Sequence, residues 1–289
     1  MPASPLISAA DLRTLIASGA PLMVFDCSFD LTDTEWGIAR YHAAHIPGAV
    51  YAHLDRDLSA AGGPGVSGGR HPLPTRERFA AWLASVGLAD GMQAVAYDRS
   101  GGMTAVRLWW MLQWLGHGAV AVLDGGFAAW QAAGGAVTDG IEAPRAPGRF
   151  TLRAPLVALR TADEVLAQLA SAHQTVLDAR AAERYRGEVE PLDPVAGHIP
   201  GALNRPWTDN LGPDGRFKSA AQLRGEFAAL LHGHDPASVV HQCGSGVSAI
   251  HNLLAMQLAG YPPTTLYAGS WSEWCSDAAR PVETQQGCQ

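Results

Sequence analysis

An internal repeat limits the folds that this 289-residue chain can adopt. Three short motifs each occur twice. The pairs are His45–Gly48 with His198–Gly201, Val24–Asp26 with Val176–Asp178, and Gly125–Trp130 with Gly269–Trp274. A spacing of this length is too great for a solenoid of small repeats, so it predicts two similar domains.

Both halves contain the same order of predicted elements. Short apolar strands alternate with helices, which predicts an α/β fold in which each domain has a mainly parallel sheet with helices on both faces. We predict a first domain over 1–138, a linker over 139–155 and a second domain over 156–289. The linker is rich in glycine and proline. Phe150 and Leu152 could add a strand against either domain.

Composition narrows the classes of function. The chain is 47% hydrophobic and 16% charged, as expected for a globular protein. A net charge of -7 argues against nucleic acid or an anionic membrane as a partner. No apolar run reaches transmembrane length, and the first residues lack the features of a signal peptide. The four cysteines, at 27, 243, 275 and 288, lack metal-ligand spacing, which predicts no structural metal and a reducing, cytoplasmic setting.

The segment around Cys243 has the pattern of a reactive loop. An apolar strand is predicted at 237–240 and a helix at 250–259, so Cys243 follows a strand and precedes a helix. Gly244 and Gly246 allow the backbone to curl so that successive N–H groups can point inward. Such a loop, with a helix N-terminus beside it, stabilises a thiolate. We interpret Cys243 as a nucleophile; the alternative is a buried structural cysteine at a strand end.

The first half has a counterpart of this loop at 97–105. Asp98 stands there in place of the cysteine, and the loop is one residue longer. A carboxylate cannot replace a thiolate as the sulfur nucleophile. We therefore predict that the first domain is catalytically inactive.

Taken together, these motifs resemble the tandem sulfurtransferases of the rhodanese family. The resemblance covers nearly the whole chain. It implies that the second-domain cysteine accepts a sulfane sulfur, becomes a persulfide and passes the sulfur to a thiophilic acceptor such as a thiol or cyanide. A thioredoxin-like protein is a further possible acceptor. It also implies that the inactive first domain helps to form the site, and that no cofactor is needed.

The cysteine loop indicates the subfamily. Members that use thiosulfate carry basic residues just after the cysteine, whereas members that use 3-mercaptopyruvate carry Cys-Gly-Ser-Gly-Val. The run Cys243–Val247 matches the second type. A loop without Lys or Arg offers less to a dianion, and the Ser245 hydroxyl can hydrogen-bond a thiol or keto group.

The resemblance assigns roles to further residues. Arg184 matches an arginine that binds the substrate carboxylate, and a guanidinium can bind a carboxylate through two hydrogen bonds. Asp55 matches an aspartate thought to act with the loop serine, Ser245, in proton transfer. His71 matches a histidine that contacts substrate. Loop residues that cradle the transferred group complete the predicted site: Gly244, Gly246, Val247 and Ser248.

Two of these assignments have structural alternatives. Asp55 could cap a helix, and His71 could be a loop histidine held by the prolines around it. The sequence also departs from the 3-mercaptopyruvate pattern, which has a second substrate arginine after a Pro-Glu-Pro run. The corresponding stretch, 188–194, is short and acidic. Arg186 or Arg205 could supply the missing charge.

Three other functions compete with 3-mercaptopyruvate sulfur transfer. Thiosulfate:cyanide sulfur transfer is the nearest alternative. A persulfide carrier or binding module without turnover is the second. A cysteine phosphatase uses a similar strand–loop–helix, but its Cys-x5-Arg signature requires arginine at position 249, where this chain has Ala249.

Overall fold

The computed structural model describes residues 4–60, 62–63, 65–169 and 171–284. These residues divide into two compact units. The first consists of described residues within 1–64, 74–156 and 213–216, and the second of those within 65–73, 157–212 and 217–289. Cys288 lies outside the described residues.

The first unit has one five-stranded sheet, in the order β1-β5-β4-β2-β3, and every strand pair is parallel. Its elements are β1 (Leu6–Ile7), α1 (Ala9–Ala17), β2 (Leu22–Asp26), α2 (Trp36–Ala43), β3 (Val50–Tyr51), α3 (Arg76–Ser85), β4 (Gln93–Tyr97), α4 (Ala105–Trp114), β5 (Val120–Leu123) and α5 (Gly126–Ala132). Helix α4 is almost wholly buried, as expected for an element rich in tryptophan.

The second unit repeats this sheet in the order β6-β10-β9-β7-β8, again with parallel pairs throughout. Its elements are β6 (Ala158–Arg160), α6 (Ala162–Ala167), β7 (Thr175–Asp178), α7 (Ala182–Arg186), β8 (Leu203–Asn204), α8 (Ala220–Leu231), β9 (Val239–Gln242), α9 (Ala249–Leu258), β10 (Thr265–Tyr267) and α10 (Ser270–Trp274). Apolar clusters lie on both faces of the sheet. The predicted α/β class with parallel sheets is confirmed.

The structure differs from the prediction before Cys243 and in the linker. The strand before Cys243 begins at Val239, because Asp235 caps the backbone N–H of Ala237 and Pro236 starts a 3-10 turn there. The strand that Phe150 and Leu152 could have added does not form between residues 139 and 157. This stretch instead makes scattered backbone hydrogen bonds to the first unit, including Gly148 N–H to Ala84 O at 2.8 Å.

The two His-Ile-Pro-Gly turns are built alike. His45 stacks on Tyr41 and His198 on Tyr185, each with ring centroids 3.9 Å apart. Nδ1 of each histidine lies 2.7 Å from the carbonyl oxygen of the same tyrosine. Since both halves contain this arrangement, the repeated motif supports the fold in each unit.

No helix among the described residues is both long and apolar enough to cross a membrane.

Candidate active site

Cys243 lies at the carboxyl end of β9, the edge where parallel α/β sheets place their ligands. Its side chain is buried, at 2% exposure. The backbone N–H of Cys243 donates to Ser270 Oγ at 3.0 Å, and its carbonyl accepts from Trp271 N–H at 2.9 Å. The carbonyl of Gly244 accepts from Ser272 N–H at 2.9 Å. The loop after the strand is therefore held against the start of α10.

The loop from Cys243 to Ser248 turns sharply before α9. Gly246 has φ +75°, and a methyl group on its Cα would stand 2.0 Å from Ala268 O, so only glycine fits. In the described part of the chain, the backbone N–H groups of Gly244, Ser245, Val247 and Ser248 donate to no protein acceptor. These groups are available to an anion at the N-terminus of α9.

Ser245 and His71 form a close polar pair. Ser245 Oγ lies 2.7 Å from His71 Nδ1, and both residues are buried. Two of the predicted site residues are thus brought together, although the family resemblance paired Ser245 with Asp55 and assigned His71 to the substrate. A hydroxyl that shares a hydrogen bond with an imidazole can pass a proton in either direction.

The segment 65–73 brings His71 to the loop, and it packs on α10. Gly68 N–H donates to Glu273 Oε1 at 2.9 Å, and Arg70 N–H donates to Ser272 Oγ at 3.1 Å. Gly69 has φ +83°, and a methyl group on its Cα would stand 2.6 Å from Gly269 O. Close backbone approach therefore requires glycine beside the histidine.

Arg184 is presented by α7 and faces the same loop. Its Nη2 donates to Glu190 Oε1 at 2.6 Å and lies 3.3 Å from Asp193 Oδ2. Burial alone would raise the pKa of Glu190, but hydrogen bonds from Arg184 and from Leu192 N–H outweigh it and lower that pKa. A methyl group on Gly244 Cα would stand 3.6 Å from Arg184 Nη1, so the guanidinium lies next to the loop.

Arg70 is a neighbour of the loop that the sequence reasoning missed. Its guanidinium lies closest to Gly244, 3.0 Å from the position of an added methyl group. It forms an ion pair with Asp193. Its position directly before His71 was the one available signal, because no local pattern distinguishes it from a surface arginine.

Arg180 makes buried contacts next to α10. It is buried, pairs with Asp178 at 2.6 Å, donates to Gly197 O at 2.7 Å, and stacks 4.6 Å over the ring of Trp271. Burial lowers the pKa of Arg180, but Asp178 and Glu190 more than compensate and raise it. Because its donors are engaged in this way, Arg180 fixes Asp178 and Gly197 relative to Trp271 of α10.

Other residues considered from the sequence lie in different surroundings. Asp55 belongs to the first unit, where its backbone N–H donates to His53 Nδ1 at 3.1 Å. Arg186 pairs with Glu188 at 2.6 Å on the surface. Arg205 pairs with Glu226 at 2.6 Å. Neither arginine therefore supplies the missing charge at the cysteine loop.

In the first unit, Asp98 follows β4 just as Cys243 follows β9. Its buried carboxylate accepts hydrogen bonds from four backbone N–H groups and one hydroxyl. The donors are Ser100 N at 2.8 Å, Gly102 N at 2.8 Å, Thr104 N at 2.9 Å, Ala105 N at 2.9 Å and Thr104 Oγ1 at 3.0 Å. The first loop is therefore already occupied by an anion from its own chain.

Known proteins match this chain over most of its length. The family model for the rhodanese-like domain matches twice, over residues 8–133 and 161–277. A probable 3-mercaptopyruvate sulfurtransferase of Pseudomonas aeruginosa is 50% identical, over 98% of this chain and 99% of that protein. A putative thiosulfate sulfurtransferase of Mycobacterium tuberculosis is 39% identical over 96% of both chains. The crystal structure of a 3-mercaptopyruvate sulfurtransferase from Escherichia coli superposes with a TM-score of 0.80 at 31% identity, covering 93% of this chain and all of that one. The chain thus belongs to the rhodanese family, with two rhodanese-like domains in tandem.

Proposed function

We propose that this chain is a sulfurtransferase that moves sulfur from 3-mercaptopyruvate to a thiol or cyanide through a persulfide on Cys243. The observation that carries the proposal is the pairing of Ser245 with His71 beside the cysteine loop. That pairing supplies the proton that this donor requires and thiosulfate does not. The named relatives and the tandem fold support the same reaction class.

The first step transfers the sulfur. The Cys243 thiolate attacks the thiol sulfur of the donor, an S–S bond forms, and the donor's C–S bond breaks with its electron pair remaining on carbon. The products are a Cys243 persulfide and the enolate of pyruvate. The loop N–H groups stabilise the Cys243 thiolate before the transfer, and the negative charge then passes to the enolate.

The second requirement is a proton for the enolate carbon. Ser245 donates it, and His71, 2.7 Å from the hydroxyl, returns a proton to the serine. Asp55 is assigned to the same relay on its sequence match alone. Arg184 binds the donor carboxylate and so orients the C–S bond towards Cys243.

The acceptor then attacks the outer sulfur of the persulfide and releases the Cys243 thiolate. A small thiol, cyanide or the exposed thiol of a thioredoxin-like protein can serve. A reducing compartment such as the cytoplasm, inferred from the cysteine pattern, keeps this thiol available.

Thiosulfate is the competing donor. The two guanidiniums beside Gly244 favour any anionic donor, and one relative is named for thiosulfate. Sulfite, the group that thiosulfate releases, does not need a carbon-bound proton, so the Ser245–His71 pair would have no use with that donor.

The test is kcat/KM measured side by side with 3-mercaptopyruvate and with thiosulfate, with cyanide as acceptor. We expect a clear preference for 3-mercaptopyruvate and release of one pyruvate per thiocyanate formed. A preference for thiosulfate would overturn the donor assignment. A single loading of Cys243 without turnover by either donor would indicate a carrier instead.

A further inference from the structure

The geometry points to Arg70 as the second carboxylate-binding arginine of the site, with Asp193 as the internal counter-ion that occupies this subsite before the donor arrives. The ligand class is a small thiol acid or other monocarboxylate at the Cys243 loop. The inference rests on the proposed function for its substrate, but its geometry and its main test do not depend on turnover.

The first observation is the position of two guanidiniums over one point of the loop. Apart from adjacent loop residues, the three atoms nearest to a methyl group built on Gly244 are Arg70 Nη2 at 3.0 Å and the two Nη atoms of Arg184 at 3.6 and 3.8 Å. The cysteine is the residue before that glycine. A carboxylate that reaches Cys243 from this side therefore meets two guanidiniums at once.

The second observation is that one carboxylate, Asp193, already pairs with both arginines. Asp193 forms ion pairs with both Arg70 and Arg184, and its side chain is only 3% exposed. A buried carboxylate is stable only when cations or donors compensate it. Asp193 is therefore bound by the same two side chains, and in the same manner, as a donor carboxylate would be.

The third observation is accessibility. The side chain of Arg70 is 30% exposed and that of Arg184 is 17% exposed, whereas Arg180 below them is 1% exposed. Arg180 is paired with Asp178 and buried, but Arg70 and Arg184 are each partly exposed, so a ligand can reach them. A donor carboxylate can thus bind Arg70 and Arg184 while the buried Arg180–Asp178 pair stays intact.

The fourth observation explains why the chain needs Arg70. The stretch 188–194 contains two of the carboxylates, Glu190 and Asp193, and no arginine. Arg186 and Arg205 are engaged elsewhere. Arg70, which lies 123 residues away in the chain from Asp193, supplies the missing positive charge from the opposite side of the site.

The test compares alkylation of Cys243 by iodoacetate and by iodoacetamide. In both reactions the thiolate forms a C–S bond and displaces iodide, so the reagents differ only in the carboxylate. Mass spectrometry of the Cys243 peptide gives each rate constant, and their ratio reports carboxylate binding beside the sulfur. The iodoacetamide rate is the internal control for misfolding or altered access to the loop.

We expect Arg70→Ala to lower the iodoacetate/iodoacetamide ratio by about tenfold or more, the effect of losing a hydrogen bond between charged groups. Arg70→Lys should recover part of the ratio. The matched control, Arg186→Ala, removes an arginine of α7 that lies in a surface ion pair and should leave the ratio unchanged. An Arg70→Ala ratio equal to that of the wild type would overturn the assignment.

Asp193→Asn tests the counter-ion, because the amide keeps an acceptor for the arginines but removes the negative charge. We expect the iodoacetate/iodoacetamide ratio to rise and the KM for 3-mercaptopyruvate to fall, each by a few-fold. A lower ratio would show that Asp193 positions the arginines rather than occupies their subsite. If wild-type protein fails to turn over 3-mercaptopyruvate while the Arg70 effect persists, the proposed function fails and the subsite stands.

Discussion

The protein contains two similar strand–loop–helix segments, β4–α4 and β9–α9, whose loops differ in what their backbone N–H groups bind. In the first unit the Asp98 carboxylate takes five hydrogen bonds from its own loop and the following helix. In the second unit a cysteine occupies the same place after the strand, and the N–H groups of Gly244, Ser245, Val247 and Ser248 have no protein acceptor within the described chain. The N–H groups of the first loop bind the Asp98 carboxylate of the same chain. The N–H groups of the second loop remain available to an anion that the chain does not supply.

The surroundings differ as well as the central residue. The second loop is faced by a Ser–His pair and two guanidiniums. In the first unit Arg99 is engaged with Asp26, Ser28 and the carbonyl of Ala44. The twin histidine–tyrosine stacks remain alike in both units. The comparison separates residues that keep the fold from residues that supply the chemistry.

The largest effect should come from Cys243→Ser. We expect it to abolish sulfur transfer while the far-ultraviolet circular dichroism spectrum stays unchanged, because serine is similar in size to cysteine but has no thiolate sulfur to form a persulfide. Adding Asp98→Cys should not restore activity, since the first loop is one residue longer and carries no serine–histidine pair of this kind in the described structure. Restored turnover in the double variant would contradict the division of roles.

Ser245→Ala should reduce kcat with 3-mercaptopyruvate by about a hundredfold, the usual contribution of a positioned proton donor. His71→Gln should have a similar effect, because it removes the group that reprotonates the serine. Both variants should slow the thiosulfate reaction much less, since sulfite leaves without a carbon-bound proton. Equal losses with the two donors would indicate a structural role for the pair.

Asp98→Ala should destabilise the protein by about 2–3 kcal/mol, because it leaves several buried N–H groups of the first loop without an acceptor. Cys243→Ala should cost about 1 kcal/mol or less, since it removes a single side-chain atom. Urea unfolding of the two variants measures the difference. Similar losses of stability would mean that the first loop does not depend on its carboxylate.

The smallest effect at neutral pH is that of His241, whose contribution to stability changes only in acid. His241 in β9 is fully buried, and burial lowers its pKa from 6.5 to about 3, whereas its counterpart in β4 is Ala96. Between these two pH values the unfolded chain binds a proton that the native state does not. Stability is therefore present above pH 6.5 and lost as pH falls towards 3, with a slope approaching about 1.4 kcal/mol per pH unit.

His241→Gln should make this dependence shallower between pH 6.5 and 5, a window above the pKa range of ordinary carboxyl groups. Burial also lowers the pKa of His53 and His117 in the first unit, so the informative quantity is the difference between wild type and variant. Unfolding curves at several pH values measure it. An unchanged slope in the variant would exclude His241 as a source of acid sensitivity.

Much of this molecule was predictable from local pattern. Apolar runs of four or five residues predicted the strands, and the motif around Cys243 predicted the loop between β9 and α9, because strand and turn preferences act over short distances along the chain. Boundaries moved by a few residues where a cap intervened, as at Asp235. The strand considered at Phe150 and Leu152 did not form, because that stretch bonds to scattered backbone groups of the first unit instead.

By itself the sequence determined the repeat, the parallel α/β class, the cysteine in its glycine-rich loop and the aspartate that takes the place of the cysteine in the first half. Only the tertiary structure decided that His71 meets Ser245 across 174 residues, and that Arg70 meets Asp193 across 123. Both contacts depend on the segment 65–73 packing on α10 through Gly68 and Gly69. Charge pairing between distant segments is set by how their backbones approach, and no local preference of either segment encodes that approach.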